Sequence, residues 1–142
     1  MARGLAVALL LLVLLAPAAA EEPRMRIAVV VHPSRTVEIT ADALRQIYLR
    51  RKRFWDDGAP IVPLNLAAGM PLRDAFSRRV LGESEARIAD YWNRQYFYGI
   101  LPPATLASTQ AVLRYVASDP NAVGYVPADD VDGSVRTVLS LP

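Results

Sequence analysis

Short apolar runs alternate along this chain with stretches in which apolar residues recur at helical spacing. The first run, Arg26 to His32, is continuous and mostly β-branched, which is typical of a strand buried on both faces. Further strands are predicted at Ile61 to Leu64, Ala122 to Val126 and Val135 to Leu139. Strands that alternate with helices predict an α/β fold, here a single three-layer lobe whose mixed or mainly parallel sheet is flanked by helices.

The segments between these runs carry signals for the ends of helices. Thr40, Ser84 and Ser108 stand where a side-chain oxygen is expected to cap a helix. Pro71 suits the first position of another helix because its φ is fixed, and Gly82 marks the end of that helix. Gly99 to Pro103 is predicted as a loop.

Two aromatic clusters accompany the predicted helices. We expect Phe54 and Trp55 to hold the end of the first helix against the sheet. The stretch Tyr91 to Tyr98 is dense in aromatic residues, which we interpret as a core seam with amphipathic rings at its margin. A platform for a sugar or another ligand is the alternative.

The N-terminal segment is predicted to be a secretory signal peptide, residues 1–20. A basic start, Met1 to Arg3, precedes the apolar run Leu5 to Leu15, and Ala16 to Ala20 supplies a small-residue cleavage site. A retained membrane anchor is the alternative, but the apolar run is shorter than the ~20 residues of a bilayer span. Cleavage after Ala20 would leave one domain, residues 21–142, that is periplasmic or secreted and soluble.

Composition narrows the classes of partner. The chain has 142 residues with one histidine and no cysteine, so no lipid-bearing cysteine follows the signal. Without Arg3 the 16 basic residues become 15, against 14 acidic ones. A balance this close to neutral, together with export, argues against a nucleic-acid partner. The basic run Arg50 to Arg53 is better explained as a favourable helix C-terminus.

The stretch Asn65 to Phe76 has the layout of an anion site. A predicted strand leads through a loop that contains Gly69 into a helix that Pro71 starts. Free N–H groups and the positive end of the helix dipole converge at such a turn. A plain connection between strand and helix explains the same spacing, because one glycine is weak evidence of a phosphate cradle.

Three blocks of the sequence resemble those of phosphate-type ABC transporter substrate-binding proteins. Trp55 to Asn65 is similar to their Trp-x-Asp-Gly-x-Pro-Ile-x-x-x-Asn, and the preceding Ile47-Tyr48-Leu49 to their Ile-Phe-Leu. Gly69 to Phe76 is similar to Gly-Ser-Gly-Thr-Arg-Asp-Ala-Phe, and Pro120 to Val126 to Pro-Gly-Ala-Ile-Gly-Tyr-Val. The resemblance implies the type II periplasmic-binding-protein fold, in which two lobes close on an oxyanion that is passed to a permease.

The chain departs from this family in two respects. Its length is that of one lobe, so a closed cleft needs a partner or a second copy. The family loop Arg-x-x-Gly-Ser-Gly-Thr keeps only its glycine, because Leu66, Met70, Pro71 and Leu72 replace the other ligands. The resemblance therefore implies a reduced ligand site at Gly69 and Arg73.

Two further sequence features bear on the ligand site and on other chemistry. Arg35 with Ser34 is a second candidate for anion binding, on the same sheet edge as Gly69 if the strand ends align. His32 stands alone, and no nucleophile and base occur at a recognisable spacing. The fragment that begins at Asp130 lacks the closing glutamate of a calcium loop. We therefore expect no enzyme activity, no cofactor and no metal.

Two functions follow from these predictions. The first is an exported solute-binding-like protein that binds phosphate or another small anion weakly at Gly69 and Arg73, with an ABC permease as its partner. The second is a noncatalytic interaction module that has lost its ligand site. In that case Leu66, Met70 and Leu72 would form an apolar rim that docks another envelope protein or a second copy of the chain.

Overall fold

The computed structural model describes residues 24–142, so the predicted signal peptide at 1–20 lies outside the described residues. Five strands and four helices follow one another along this part of the chain: β1 Ile27–Val31, α1 Ala41–Tyr48, β2 Val62–Leu66, α2 Pro71–Phe76, α3 Glu85–Tyr96, β3 Ala104–Leu106, α4 Thr109–Ser118, β4 Ala122–Pro127 and β5 Arg136–Leu141. A π-helical turn, Ser77–Leu81, continues α2, and a 3-10 turn, Ala128–Asp130, follows β4. None of the helices described is both long and apolar enough to cross a bilayer.

The five strands form one mixed sheet in the order β3-β2-β4-β1-β5. β2 pairs in parallel with β3 and β4, whereas β1 runs antiparallel to both β4 and β5. All residues of β1 are buried, as its continuous apolar run predicted. The predicted α/β lobe with a mixed sheet is confirmed.

Two neighbouring residues of β4 show that helices cover both faces of the sheet. A Cβ on Gly124 would lie 2.5 Å from Val112 Cγ1, so α4 packs directly against the backbone on that face. The ring of Tyr125 stacks on Phe76 with centroids 3.8 Å apart and meets Tyr48 edge-on. Because successive strand residues point to opposite faces, α4 covers one face and α1 with α2 covers the other.

The predicted helix caps are present. Thr40 Oγ1 accepts a hydrogen bond from the Ala43 N–H at 3.1 Å, and Ser108 Oγ accepts one from Ala111 at 3.1 Å. Ser84 caps α3 in the same way, and Gly82 ends the preceding helical turn with φ of +69°. These contacts span three residues, so local sequence specifies them.

Three details differ from the sequence predictions. β3 was not predicted, because it has only three residues and two of them are exposed. Of the aromatic pair after α1, Trp55 is buried and its Nε1 donates to the Asn121 carbonyl at 3.0 Å, whereas Phe54 is exposed. In the later cluster Tyr91 and Trp92 pack against the core, but the rings from residues 96 to 98 are exposed.

Candidate anion-binding site

The turn that follows β2 depends on Gly69. Ala67 N–H still donates to the Leu106 carbonyl at 3.1 Å, after which the chain leaves the sheet. Gly69 has φ of +88°, a conformation that residues with a Cβ rarely adopt. Nothing lies within 4 Å of where its Cβ would be, so the need for glycine is conformational. Pro71 then takes the first position of α2, as predicted.

The first turn of α2 carries backbone donors that no side chain caps. Met70 is the N-cap residue and makes no side-chain capping bond. The first bond of the helix runs from the Asp74 N–H to the Met70 carbonyl at 3.1 Å. The N–H groups of Leu72 and Arg73 precede that bond, so they have no acceptor within the helix. Such donors at the positive end of a helix favour an anion.

The guanidinium of Arg73 turns back toward the end of β2. Its Nη1 donates to the Leu66 carbonyl at 2.8 Å, and its Nε lies 3.2 Å from Glu85 Oε2. That second contact is an ion pair without hydrogen-bond alignment. The other carboxylate oxygen of Glu85 accepts from Ser77 Oγ at 2.5 Å. Arg73 is therefore 15% exposed and shares its charge with a neighbouring carboxylate.

A buried phenol lies against the same end of β2. The Tyr125 hydroxyl donates to Asn65 Oδ1 at 2.5 Å, and the Leu66 N–H approaches the phenol oxygen at 3.4 Å. Burial raises the pKa of Tyr125 well above its ordinary value, and the hydrogen bond from Leu66 and the charge of Arg73 offset this only in part. The Tyr125 hydroxyl thus stays protonated and, as a donor to Oδ1, holds the Asn65 side chain in one orientation.

Sequence reasoning assigned no role to Tyr125 or Glu85. Tyr125 could have been recognised from the sequence, because it is a tyrosine within the apolar run Ala122 to Val126. A phenol buried in such a strand needs a hydrogen-bond partner nearby. No comparable signal pointed to Glu85, since its contact with Arg73 crosses the turn between two helices.

Arg35 and Ser34 lie at the opposite end of the strands from Gly69. Val31, the last residue of β1, pairs with Val123 near the start of β4, and β2 begins beside that same point. The expectation that Arg35 lies at the same end of the sheet as Gly69 is therefore wrong. Arg35 follows the end of β1 and Gly69 follows the end of β2, and these two strands run in opposite directions.

Groups of the protein itself bind the guanidinium of Arg35. It donates to the Pro120 carbonyl at 2.7 Å and to Asn121 Oδ1 at 3.2 Å. It also lies 3.5 Å from Asp57 Oδ2 and stacks over Trp55, 4.3 Å from the ring centroid. The side chain is only 8% exposed, so Arg35 joins three loops rather than presenting a free charge.

A second positively charged region lies between α1 and α3. A cleft of about 420 Å³ there is lined by Arg45, Arg51, Arg87 and Arg94 together with Glu83 and Asp90. Arg87 Nε lies 3.8 Å from Glu83 Oε2, and Arg51 lies over the ring of Tyr91 at 5.9 Å. The cleft combines four arginines with two carboxylates, so it attracts anions mainly by its positive charge.

The apolar rim expected at the candidate site is not at the surface. Leu66 and Leu72 are buried in the core, and Met70 packs against it. The residues that replace the family's polar ligands therefore contribute to core packing. This arrangement removes the observation that favoured a docking module at this position.

Other candidate groups are engaged locally. Nδ1 of His32 lies 2.7 Å from Ser34 Oγ and accepts the Ser34 N–H at 3.1 Å. Asp132 accepts hydrogen bonds from the hydroxyl and N–H of Ser134, which lower the pKa of its exposed carboxyl. Between residues 24 and 142, no three metal-ligating side chains come together.

Comparison with known proteins supports the architecture. A Clostridium perfringens protein described as a phosphate ABC transporter substrate-binding protein, with bound phosphate, has a TM-score of 0.66 and 25% identity over 79% of this chain and 43% of its own. An ABC-type phosphate transport receptor from Vibrio cholerae has a TM-score of 0.64 and 18% identity over 79% of this chain and 44% of its own. For PstS from Borrelia burgdorferi the TM-score is 0.56 and the identity 13%, over 72% and 40% of the two chains.

Comparisons with protein-family models and with curated proteins give no match. This chain spans less than half the length of the solved proteins that it resembles. The sequence resemblance is nevertheless confirmed by structure: this chain has the α/β fold of phosphate-type ABC transporter substrate-binding proteins.

Proposed function

We propose that this protein binds a small oxyanion such as phosphate at the N-terminus of α2, as an exported, noncatalytic solute-binding-like protein. The observation that carries the proposal is the uncapped first turn of α2, where the N–H groups of Leu72 and Arg73 follow the Gly69 turn. The Clostridium perfringens protein of the same fold, solved with bound phosphate, supports this choice of ligand.

Each residue of the proposed site has a defined role. Gly69 gives the chain the positive φ that turns it into the helix, and the N–H groups of Leu72 and Arg73 donate to the oxyanion. The guanidinium of Arg73 adds a positive charge beside them. Its contact with Glu85 opposes this, because that carboxylate already occupies one side of the guanidinium.

Binding is expected to be weak. The family loop supplies an arginine and hydroxyl groups that this chain replaces with Leu66, Met70 and Leu72, and Pro71 has no N–H. Each hydrogen bond to a charged group is worth about 1.5–3 kcal/mol. Two backbone donors and a shared arginine therefore correspond to a Kd between roughly 10 μM and 1 mM.

Calorimetric titration with phosphate and with sulfate at low salt tests this proposal. Replacement of Arg73 by Ala should weaken phosphate binding by about tenfold, the equivalent of roughly 1.4 kcal/mol. Arg114→Ala is the matched control, because Arg114 is an exposed arginine on α4, across the sheet from α2. Equal affinities of wild type and Arg73→Ala would contradict the site, and so would equal losses in both variants. Thermal melting of each variant checks that the fold is kept.

Delivery of the anion to an ABC permease belongs to the same proposal. Its support is the set of solved relatives, which are substrate-binding proteins of ABC transporters. The residues of this chain correspond to less than half the length of those relatives, so the delivery step is proposed for the lobe that these residues form.

A further inference from the structure

The end of α3 presents a run of exposed apolar side chains. Tyr96 is 69% exposed, Phe97 87% and Tyr98 78%, and Leu101 follows at 62%. With roughly 200 Å² for each aromatic residue, these fractions amount to about 500 Å² of exposed surface. That is near the largest apolar patch found on typical monomers, which is often functional. We call this run, residues 96–101, the aromatic segment.

Backbone hydrogen bonds hold the aromatic segment in one conformation. The Ile100 N–H donates to the Gln95 carbonyl at 3.2 Å, and the Gly99 N–H donates to the Tyr96 carbonyl at 3.0 Å. Gly99 has φ of +72°, so these bonds form a Schellman motif at the end of α3. The backbone that carries the rings is therefore already ordered, so binding of a partner costs little additional conformational entropy there.

Charge favours one kind of partner for the aromatic segment. No charged residue or histidine occurs from Gln95 to Leu113, a stretch that includes the edge strand β3. An uncharged apolar surface can meet an identical surface without repulsion, and a two-fold interface requires such self-complementarity. A membrane surface would instead be favoured by several cations beside the rings. Arg94 directly precedes the segment and lines the arginine cleft, where Glu83 and Asp90 offset part of the positive charge.

We propose that two copies of this chain associate through the aromatic segment. Burial of about 500 Å² on each copy gives about 1,000 Å² in total, which is the lower limit for a specific interface. The expected product is a reversible dimer with a Kd on the order of 10–100 μM. This interface is separate from the anion site and does not depend on it.

Sedimentation velocity of the protein expressed from its full sequence, between about 1 and 500 μM, tests the proposal. Wild type should pass from monomer to dimer as its concentration rises. The double variant Phe97→Asp with Tyr98→Asp should weaken association by at least about a hundredfold, because both changes occur twice in a symmetric dimer. Phe54→Asp is the matched control, since Phe54 is an exposed aromatic residue outside the segment, and its Kd should stay within about twofold of wild type.

Three results would overturn the proposal. The first is a wild-type protein that stays monomeric over the whole range, and the second is a double variant that dimerises as wild type does. The third is an equal loss of association in Phe54→Asp. A monomeric wild type that sediments with phosphatidylglycerol-containing vesicles would assign the segment to a membrane surface instead. The milder Phe97→Ser with Tyr98→Ser is measured beside the aspartate variant, so that a failure to fold cannot be mistaken for a loss of the interface.

Discussion

The contact between Arg73 and Glu85 is the feature that sets the strength of the proposed site. Arg73 lies at the third position of α2 and Glu85 at the first position of α3, and their side chains meet at 3.2 Å with little exposure to solvent. A carboxylate at this place competes with any external oxyanion for the same guanidinium. The site thus contains its own internal anion.

Replacement of Glu85 by Gln should strengthen phosphate binding. The neutral side chain can still accept from Ser77 Oγ, but it no longer neutralises Arg73, so the affinity should rise by about tenfold, or roughly 1.4 kcal/mol. Calorimetric titration measures this gain, with Glu83→Gln as the control, because Glu83 contacts Arg87 instead. Unchanged or weaker binding in Glu85→Gln would show that the guanidinium does not contribute.

Sequence reasoning at the residue scale succeeded where the cause was local. Thr40, Pro71 and Gly82 were placed correctly, because a cap, a fixed φ and a positive φ depend on a few neighbouring residues. Arg35 was assigned to the wrong sheet edge, because the direction of β1 is decided by its pairing with a distant strand.

At the scale of elements, the packing of α4 on β4 shows why this sheet carries a glycine at its centre. Gly124 leaves room for Val112 and Val116, whose methyl groups would lie 2.5 and 3.5 Å from an added Cβ. The helix therefore sits closer to the sheet than a side chain at residue 124 would allow. The apolar pattern predicted both elements, but their separation depends on this one position.

Gly124→Ala should destabilise the protein by about 1–3 kcal/mol, because the new methyl group must displace the stiff side chain of Val112. Urea denaturation measures the loss. The double variant Gly124→Ala with Val112→Ala should recover at least about 1 kcal/mol relative to the sum of the single changes. Strictly additive effects would mean that the two residues do not share this space.

Elements that lack a buried face were the hardest to predict from sequence. β3 has three residues with little burial, so its pairing with β2 could not be inferred from a hydrophobic pattern. The aromatic segment was expected at the margin of the core, yet its rings project into solvent. Composition does not distinguish these outcomes, because burial of an aromatic side chain depends on which surfaces the fold brings beside it.

At the scale of the whole molecule, two buried phenols make hydrogen bonds to the sheet: Tyr48 joins α1 to β2, and Tyr125 joins β4 to β2. Tyr48 Oη donates to the Leu64 carbonyl at 2.8 Å, and Tyr125 Oη donates to Asn65. Burial raises the pKa of both phenols above the ordinary value, and each also contacts the ring of Phe76. The folded protein therefore keeps two protons that the unfolded chain releases near pH 10.

Stability should consequently fall as the pH rises above about 10. Each phenol with a raised pKa contributes stability that is fully present below the pKa it has in the unfolded chain. Above that pKa this stability is lost by up to about 1.4 kcal/mol per pH unit. Urea denaturation between pH 8 and 11.5 measures the slope. Tyr48→Phe should be less stable than wild type at pH 8 by about 1 kcal/mol, and this difference should shrink at pH 11. A constant difference across the range would contradict the assignment.

The architecture was predictable from three sequence blocks, whereas the contacts around the proposed site were predictable only in part. The blocks that include Trp55 to Asn65 and Pro120 to Val126 fill buried strands and tight turns of the sheet, so their pattern reflects the fold. The Gly69 loop was located correctly because it joins two such elements. The contacts of Arg73 and Tyr125 were not foreseen, since they depend on how separate elements come together.

The most direct test of oxyanion binding at α2 is a ¹H–¹⁵N NMR titration of the protein with phosphate at low salt. The largest shifts should occur at the amides of Leu72 and Arg73, with Gly69 next, and they should saturate below about 10 mM phosphate. Largest shifts at the arginine cleft beside Arg51 and Arg87, or no saturable shifts at α2, would contradict the proposed site.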